Sequence, residues 1–433
     1  MPAEDLETTC CIVGGGPAGV MLGYLLAREG VAVAVLEKHN DFFRDFRGDT
    51  VHPSTLELMQ ELGLLTDFLK IPHQQLTSVG GIFGDFAFQA ANFRHVPGPC
   101  KFVALMPQWD FLNFLSDRAR RFPSFDLRMR HEAVALLRNN GRVFGVEART
   151  PEGTARIYAD LVIGCDGRHS MTRAAANLDV IESGVPIDVL WFRISRKSTD
   201  PEQLLGNINY GKALILINRG SYFQSGLIIR KGSFEEIKRR GLDTFRKSIV
   251  EIAPYLIDRV HELADWDQVK LLSVQINRLR RWYRPGLLCI GDAAHAMSPA
   301  GGVGINLAIQ DAVAAARILA RPLREKRVTE ALLARVQQRR EFPTRVTQFM
   351  QVNAHKGFEY IFAHPGPIEA PWQLKAVARI PGLQHVTARF VGIGVRPEHI
   401  RQSSMLKRIA VAAGIAAAIA VNIIRGRRKA QYC

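Results

Sequence analysis

A glycine-rich turn between two apolar segments constrains the fold of this 433-residue chain more than any other feature. An apolar strand at residues 9–13 leads into a glycine turn at 14–16 and a helix at 17–29. A second apolar strand follows at residues 31–36 and ends at an acid, Glu37. Strand, helix and strand in this order predict a βαβ unit with parallel strands. A glycine turn that opens the helix of such a unit is typical of dinucleotide-binding sites.

Each glycine of this first motif has its own predicted role. Gly14 allows the tight turn, Gly16 lets the backbone approach a pyrophosphate, and Gly19 lets the helix pack on the strand. The helix begins at Pro17 and Ala18, where unpaired N–H groups and the positive end of the helix dipole would attract phosphates.

The acid of the motif is Glu37, which would accept hydrogen bonds from both hydroxyls of an adenosine ribose. We predict that Glu37 and the adjoining Lys38 contact the cofactor. No second turn of this kind is evident, because residues 80–84 follow no clear strand and are predicted to be a plain turn. This argues against a second permanent dinucleotide site, and the absence of a Cys-x-x-Cys motif argues against a disulfide reductase.

Two further glycine-containing motifs follow downstream, each directly after an apolar strand. The second motif has the sequence GCDGRHS over residues 164–170 and continues to Arg173. The third has the sequence GDAAH over residues 291–295, followed by PAGGVGIN over residues 299–306. A helix is predicted from about Ile305 to Leu319.

In this order, the three motifs resemble the FAD-binding fingerprints of the para-hydroxybenzoate hydroxylase-like flavoprotein monooxygenases, over about residues 8–340. The resemblance and the strand patterns imply an α/β fold, in which a Rossmann-type FAD-binding domain carries an inserted antiparallel β-sheet substrate domain and a helical C-terminal segment. The FAD-binding domain is predicted at residues 1–75, 100–180 and 275–340, the substrate domain at 76–99 and 181–274, and the helical region at 341–433.

The resemblance also implies cofactor contacts residue by residue. Arg47 matches an arginine that contacts FAD, and Gln108 matches a glutamine that reaches the ribityl chain. In the second motif Asp166 matches a ligand-organising carboxylate, and Arg173 matches a phosphate or structural partner. His169 matches a position that contacts NADPH in some members, with a plain loop histidine as the alternative.

The third motif is expected to run from the ribityl chain to the flavin ring. Asp292 resembles the carboxylate that accepts a ribityl hydroxyl, and Asn306 resembles an asparagine near the pyrimidine edge. The loop between them is expected along the isoalloxazine edge, and its candidate catalytic residues are Pro299, Gly301 and Gly302. The N–H groups of the following helix start, at Gly304 and Ile305, would favour negative charge on reduced flavin.

The implied activity is that of an FAD-dependent monooxygenase. NADPH or NADH reduces FAD as a transient co-substrate, O2 adds to give a C4a-hydroperoxyflavin, and an apolar or aromatic small molecule is hydroxylated. No nucleophile triad or metal-ligand cluster is evident, and His52, His295 and Tyr222 are candidate polar groups on the substrate side. The open alternatives are an FAD-dependent reductase or oxidase of related fold, such as a prenyl-chain reductase, and a non-catalytic FAD-binding protein.

Composition bounds the partners and the compartment. The net charge is +16, but the basic residues are spread along the chain without a recognition helix or an aromatic platform, so no nucleic-acid partner is expected. Cysteines in predicted core strands and an acidic N-terminal segment without a signal indicate a cytoplasmic protein with free thiols.

The tail at residues 405–429 has an unusual pattern. An apolar run over residues 409–424 is flanked by six basic residues: Lys407, Arg408, Arg425, Arg427, Arg428 and Lys429. As a helix it would span roughly 24 Å, short of the hydrocarbon core of a bilayer. Peripheral attachment to an anionic surface at the inner face of the membrane and packing against protein are both open.

Overall fold

Strands occupy most of the first two thirds of the chain, and long helices follow. The computed structural model describes residues 5–43, 50–200, 206–380 and 382–400. The strands in these ranges are β1 (Leu6–Val13), β2 (Val33–Glu37), β3 (Thr50–Val51), β4 (Gln74–Leu76), β5 (Ser78–Phe83), β6 (Phe86–Asn92), β7 (Val103–Leu105), β8 (Phe125–Met129), β9 (Glu132–Asn139), β10 (Arg142–Thr150), β11 (Gly153–Gly164), β12 (Val180–Ser183), β13 (Ile187–Ser195), β14 (Gly206–Asn209), β15 (Lys212–Asn218), β16 (Tyr222–Arg230), β17 (Lys270–Leu272), β18 (Ile276–Leu279), β19 (Tyr283–Arg284), β20 (Leu287–Cys289) and β21 (His295–Ala296).

The helices cover one large sheet and form most of the described chain after residue 302. They are α1 (Pro17–Arg28), α2 (Pro53–Glu61), α3 (Leu65–Phe68), α4 (Gln108–Ala119), α5 (Met171–Ala175), α6 (Phe234–Arg239), α7 (Leu242–Ile252), α8 (Val303–Arg324), α9 (Glu330–Ala363), α10 (Trp372–Arg379) and α11 (Leu383–Gly392).

An eight-stranded sheet carries the three glycine motifs. Its main path runs β19-β20-β11-β1-β2-β8, and β10 and β9 extend it from β11. The five strands from β20 to β8 are parallel, as the βαβ pattern predicts. Cys10, Cys11 and Ile12 of β1 are fully buried, because helices on both faces of a parallel sheet leave no solvent side. The mixed α/β fold is therefore confirmed.

A second, seven-stranded sheet has the order β17-β13-β16-β15-β14-β5-β6. The prediction of an antiparallel sheet is correct except at one pair, since β14 runs parallel to β5. These two strands come from separate parts of the chain, so no hairpin forces them to be antiparallel. The five strands at one end of the order come from residues 187–272, and the other two from residues 78–92.

The predicted turn at residues 80–84 is wrong, because Ser78–Phe83 forms β5. A Cβ at Gly80 would lie 2.2 Å from the carbonyl oxygen of Phe88, and one at Gly81 would lie 2.2 Å from that of Gly206. The neighbouring backbones approach so closely that only glycine fits. Glycine is a poor strand former locally, and the close approach of two neighbouring strands overrides that preference.

The two faces of the seven-stranded sheet have different covers. One face packs against α6 and α7 in a core that contains Phe192, Leu227 and Phe245. The other face, called here the inner face, contains Trp191 and Ile228 and packs against side chains of α9. Two three-stranded sheets, β3-β7-β4 and β12-β18-β21, complete the described strands.

The C-terminal part is helical up to residue 392, as predicted, but α9 begins before the predicted boundary at residue 340 and continues past Pro343. The tail at residues 405–429 lies outside the described residues. Within the described ranges, one helix, residues 300–324, is long and apolar enough to cross a membrane, and 78% of its apolar window is buried inside the protein. Burial of that kind is expected for a core helix.

Candidate functional site

The three motifs meet at one edge of the large sheet. Val13 at the end of β1 pairs with Gly164 at the end of β11, and Gly164 pairs with Cys289 at the end of β20. The Cys165 N–H donates to the Val13 carbonyl at 2.7 Å, and the Ile290 N–H donates to the Gly164 carbonyl at 3.0 Å. The carboxyl ends of parallel strands form the crevice in which α/β proteins bind their ligands.

The glycines of the first motif divide into two kinds. Gly14 has φ +107°, and a Cβ there would lie 2.5 Å from the Cys165 carbonyl oxygen. A Cβ at Gly19 would lie 1.9 Å from the Gly14 carbonyl oxygen, so α1 packs directly on the turn. A Cβ at Gly16 would meet nothing within 4 Å. The fold itself requires Gly14 and Gly19, whereas Gly16 borders open space.

The start of α1 has donors but no protein cap. Gly16 is its N-cap, Pro17 occupies its first turn, and no side chain caps the helix. Unpaired N–H groups at a helix start are the usual partners of phosphates. Ala18 is buried behind this turn, and its Cβ would lie 3.2 Å from a Cβ at Gly291 of the third motif.

Glu37 ends β2 beside the same turn. One of its oxygens accepts a hydrogen bond from the Gly15 N–H at 3.1 Å, and the other accepts one from the His39 N–H at 3.1 Å. The carboxylate is thus held next to the open space at Gly16, where the ribose of a dinucleotide is expected. Lys38 is exposed.

An arginine that sequence reasoning missed joins the second and third motifs. Arg168 Nε donates to Asp292 Oδ2 at 3.1 Å, and Arg168 Nη2 donates to the Met297 carbonyl at 3.3 Å. Asp292 was predicted to accept a ribityl hydroxyl, and its Oδ1 has no hydrogen-bond partner among the described residues, so it can still do so. Arg168 would then hold the carboxylate in position.

Uncapped helix starts, open space at Gly16 and placed carboxylates at Glu37 and Asp292 fit the phosphates, ribose and ribityl chain of FAD. Comparison with known proteins agrees with this fit. Residues 7–350 match a family described as an FAD binding domain. A 6-methylpretetramide 4-monooxygenase from Streptomyces rimosus is 31% identical over 404 residues, which cover 90% of this chain and 93% of that relative. The chain belongs to the para-hydroxybenzoate hydroxylase-like FAD-dependent monooxygenases.

Two further matches describe the range of this family. A dialkyldecalin synthase from Streptomyces rugosporus is 28% identical over 324 residues, which cover 71% of this chain and 64% of that relative. The crystal structure of a p-nitrophenol 4-monooxygenase from Pseudomonas putida has the same fold, with a TM-score of 0.71 at 19% identity over 90% of this chain and 97% of that one. This monooxygenase is an oxidoreductase with FAD as its cofactor.

The loop predicted along the isoalloxazine edge, residues 299–304, is called here, together with the preceding Ser298, the flavin loop. Gly301 and Gly302 have φ of +79° and +63°, a conformation that L-residues rarely adopt. The Gly302 N–H donates to the Pro299 carbonyl at 2.9 Å, so this donor is paired within the loop. The donors that remain are those of the first turn of α8, which no side chain caps.

Two residues of the β3 segment hold one side of the flavin loop. Thr50 Oγ1 donates to the Gly302 carbonyl at 3.0 Å, and His52 Nε2 lies 3.1 Å from the same oxygen. Burial lowers the pKa of His52 to about 4, so the ring is neutral at physiological pH and Nε2 carries the donated proton. His52 was predicted as a substrate-side group, and the structure places it against the flavin loop.

Helix α9 holds the other side of the loop. Gln351 Oε1 accepts from the Ser298 N–H at 3.1 Å, while its Nε2 donates to the Ser298 and Ala300 carbonyls, both at 3.0 Å. Ser298 Oγ lies 2.9 Å from His355 Nε2, and burial lowers the pKa of His355. Sequence reasoning missed Gln351 and His355, because nothing local in a helix 50 residues downstream indicates a loop contact.

Side chains of α2 hold the start of α8 through hydrogen bonds. Asn306 was predicted near the pyrimidine edge, but its Oδ1 accepts from Ser54 Oγ at 2.7 Å and from Thr55 Oγ1 at 2.8 Å. All three side chains are buried. Asn306 therefore joins α8 to α2. Gly304 and Ile305 lie in the uncapped first turn of α8, as predicted.

Two motif residues have structural partners where ligand contacts were predicted. Asp166 Oδ1 accepts from Ser170 Oγ at 2.6 Å and from Thr172 Oγ1 at 2.8 Å, and its Oδ2 accepts from the Thr172 N–H at 2.9 Å. It thereby holds the start of α5. Arg173 Nη2 donates to the Arg168 carbonyl, which corresponds to the structural alternative predicted for it.

His295 is a buried structural residue. Its Nε2 lies 2.5 Å from Asp311 Oδ2, and Asp311 Oδ1 accepts from Arg340 Nε at 2.9 Å. Burial alone would raise the pKa of Asp311, but His295 and Arg340 outweigh it and lower the pKa. The Gly291 N–H also donates to Asp311 at 3.0 Å, so this network supports the third motif from behind.

The remaining predicted residues have varied positions. Gln108 begins α4, and His169 is exposed beside the second motif. Tyr222 lies at the start of β16, with the Arg193 guanidinium 5.2 Å from its ring centre. Arg47 lies outside the described residues. The five described cysteines are free thiols, four of them buried.

The described residues contain one group of three side chains close enough together to share a metal ion: Glu57, Glu61 and His399. Glu61 uses its oxygens to accept from His399 Nδ1 and the Ile400 N–H, both at 2.7 Å. The group fastens the segment after α11 to α2.

Proposed function

We propose that this monooxygenase uses NADPH or NADH to hydroxylate a small aromatic molecule with several fused rings. Relatedness to the 6-methylpretetramide 4-monooxygenase over nearly the whole of both chains supports a substrate of this class. The observation that carries the proposal is the run of connected apolar clusters between the inner face of the seven-stranded sheet and the flavin loop.

Three groups of apolar side chains, called here the apolar walls, lie beside the flavin loop and pack against one another. Val391, at the end of α11, packs against Met297 and Val303 beside the loop. It also packs against the group that contains Phe93 and Leu105, and Ile217 of the inner face contacts the same group. A planar apolar ring system that binds against these walls would be stabilised by its burial, at roughly 25 cal/mol per Å².

Polar side chains lie beyond the apolar part of the inner face. Gln224 Oε1 accepts from Arg219 Nε at 3.3 Å and from Arg219 Nη2 at 3.2 Å, and Arg193 and Tyr222 lie on the neighbouring register positions. We propose that these groups bind the carbonyl or phenol oxygens of the substrate. One apolar and one polar end would orient the ring for attack at a single carbon.

FAD, when bound, would accept the hydride and activate oxygen. The chain's own residues would therefore orient the substrate and the flavin ring and exclude water. The first turn of α8 would stabilise negative charge at the pyrimidine end of the ring. Thr50, His52 and Gln351 hold the flavin loop from two sides so that this donor set does not shift. The apolar walls keep water from the reacting atoms.

A screen of the purified yellow protein tests the proposal. Fused-ring phenols and quinones are added with NADPH or NADH, and both nicotinamide oxidation and oxygenated product are measured. We expect at least one compound to stimulate nicotinamide oxidation with matching product. Cofactor consumption that yields only hydrogen peroxide for every compound would contradict the substrate class. Conversion without nicotinamide would favour non-oxidative chemistry, as the name of the dialkyldecalin synthase implies for that relative.

We also propose that the tail at residues 405–429 attaches the cytoplasmic enzyme to the inner face of a membrane. Its apolar run and six flanking basic residues support this. Each Lys or Arg near an anionic surface contributes about 1 kcal/mol. Deletion of residues 405–433 should release the protein from anionic liposomes and leave its FAD content intact. Equal liposome binding by both proteins would refute the attachment.

A further inference from the structure

A basic pocket of about 570 Å³ lies between α8 and α9, away from the flavin loop. Five arginines line it, and they define what is called here the arginine pocket: Arg317, Arg321, Arg335, Arg339 and Arg396. Arg317 follows Val303, the first residue of α8, by fourteen residues, which corresponds to roughly 21 Å along a helix. The pocket is therefore separate from the site that the three glycine motifs form.

A buried carboxylate fixes two of these arginines. Glu398 is 1% exposed, and it accepts from Arg339 Nε at 2.5 Å and from Arg339 Nη2 at 3.3 Å. Arg317 Nη2 lies 3.3 Å from the same carboxylate. Because both guanidinium groups are held by the same buried acid, they lose little side-chain freedom when they bind a second anion.

The five arginines carry more positive charge than the two carboxylates paired with them, Glu398 and Glu325, neutralise. Arg321 Nε pairs with Glu325 at 2.9 Å. Arg335 and Arg396 have no carboxylate partner among the described residues, and no acid is part of the lining. Like charges gathered in a concave surface raise the local potential and attract anions.

We propose that the arginine pocket binds a phosphate-bearing anion. Guanidinium groups form paired hydrogen bonds to phosphate oxygens, and several of them converge here. Ile318, Pro322 and Leu332 supply an apolar wall beside the arginines. This combination suits a phosphate ester with an apolar portion. A lipid headgroup and a free phosphate ester share this chemistry, and the experiment distinguishes them.

The test uses the full-length, FAD-loaded protein, because bound FAD already fills the pyrophosphate site at Gly16. The variant Arg335→Ala/Arg396→Ala removes the two arginines without a carboxylate partner. The control Arg121→Ala/Arg239→Ala removes two positive charges elsewhere on the surface. Arg121 and Arg239 are exposed and, like Arg335 and Arg396, have no carboxylate partner among the described residues. Binding of inorganic pyrophosphate is measured by titration calorimetry, and binding of phosphatidylglycerol vesicles by sedimentation against phosphatidylcholine vesicles.

We expect the pocket variant to lose about tenfold or more of the affinity for one probe, while the control retains it. Loss for pyrophosphate indicates a free phosphate ester, and loss for vesicles alone indicates a lipid headgroup. Equal affinities of pocket variant and control for both probes, or no binding of either probe by the wild type, would overturn the proposal. FAD content and nicotinamide oxidation should stay unchanged in both variants, so this test is independent of the hydroxylation proposal.

Discussion

Alanine substitutions in the first motif should separate cofactor binding from folding. Gly16 has φ −75° and open space around an added Cβ, so Gly16→Ala should change the stability of the FAD-free protein by less than about 1 kcal/mol. At Gly14 the positive φ and the contact with the Cys165 carbonyl each cost about 1–3 kcal/mol, about 2–6 kcal/mol together. Gly19→Ala should also destabilise, because its Cβ overlaps backbone.

Two measurements on each variant test this separation. Urea unfolding of the FAD-free protein reports stability, and quenching of flavin fluorescence reports FAD affinity. Gly16→Ala should weaken FAD binding at least about tenfold, which is about 1.4 kcal/mol, and Gly16→Val should abolish it. Normal FAD affinity in Gly16→Val would refute the assignment of the open space to the pyrophosphate. A Gly14→Ala protein as stable as the wild type would refute the steric argument.

Four further substitutions test the second and third motifs and the flavin loop. Asp292→Ala should lose FAD during purification, whereas exposed His169→Ala should keep FAD and raise the KM for NADPH; equal flavin loss from both would contradict these roles. The folded-state pKa of His52, about 4, lies below the ordinary 6.5, so protons favour the unfolded state. Stability should fall between about pH 6.5 and 4 by up to about 3 kcal/mol. The free energy of unfolding of His52→Gln, measured with urea, should not show this fall between about pH 6.5 and 4. If the free energies of His52→Gln and the wild type change with pH in parallel, His52 is not the cause of the fall. Thr50→Val removes one hydrogen bond to the Gly302 carbonyl and should increase hydrogen peroxide release at unchanged FAD content. An unchanged ratio of product to nicotinamide oxidised would show that the flavin loop does not need this hydrogen bond.

Local pattern was sufficient to predict the elements that carry the glycine motifs. The helix predicted over residues 17–29 is Pro17–Arg28, and the strand predicted over residues 31–36 is Val33–Glu37. Such elements are specified by the periodicity of apolar residues and by the turn residues at their ends, and both are local features of the sequence. The meeting of three motifs follows because each comes directly after a parallel strand of one sheet.

Contacts between distant segments could not be predicted in the same way. Gly80 and Gly81 are in a strand only because another strand lies against them, and Asp166 bonds to Thr172 only because α5 begins there. Gln351 and His355 look like ordinary helix residues in sequence. Their contact with the flavin loop depends on where α9 crosses the core, and the local hydrophobic periodicity of a helix does not specify its position in the tertiary structure.

The inner face of the seven-stranded sheet contains a buried donor, the Trp191 indole N–H, that should report a substrate bound there. Trp191 is 8% exposed, and its Nε1 has no hydrogen-bond partner in the described part of the chain. An unmade buried hydrogen bond costs about 1–3 kcal/mol, and Trp191→Phe removes this donor. The same change leaves a cavity where the larger indole packed, which offsets that gain, so the urea stability of the substrate-free enzyme should change little. If Nε1 binds a substrate oxygen, the same change should raise the KM for the screened compound about tenfold, with FAD content intact. An unchanged KM would exclude Trp191 as a substrate donor.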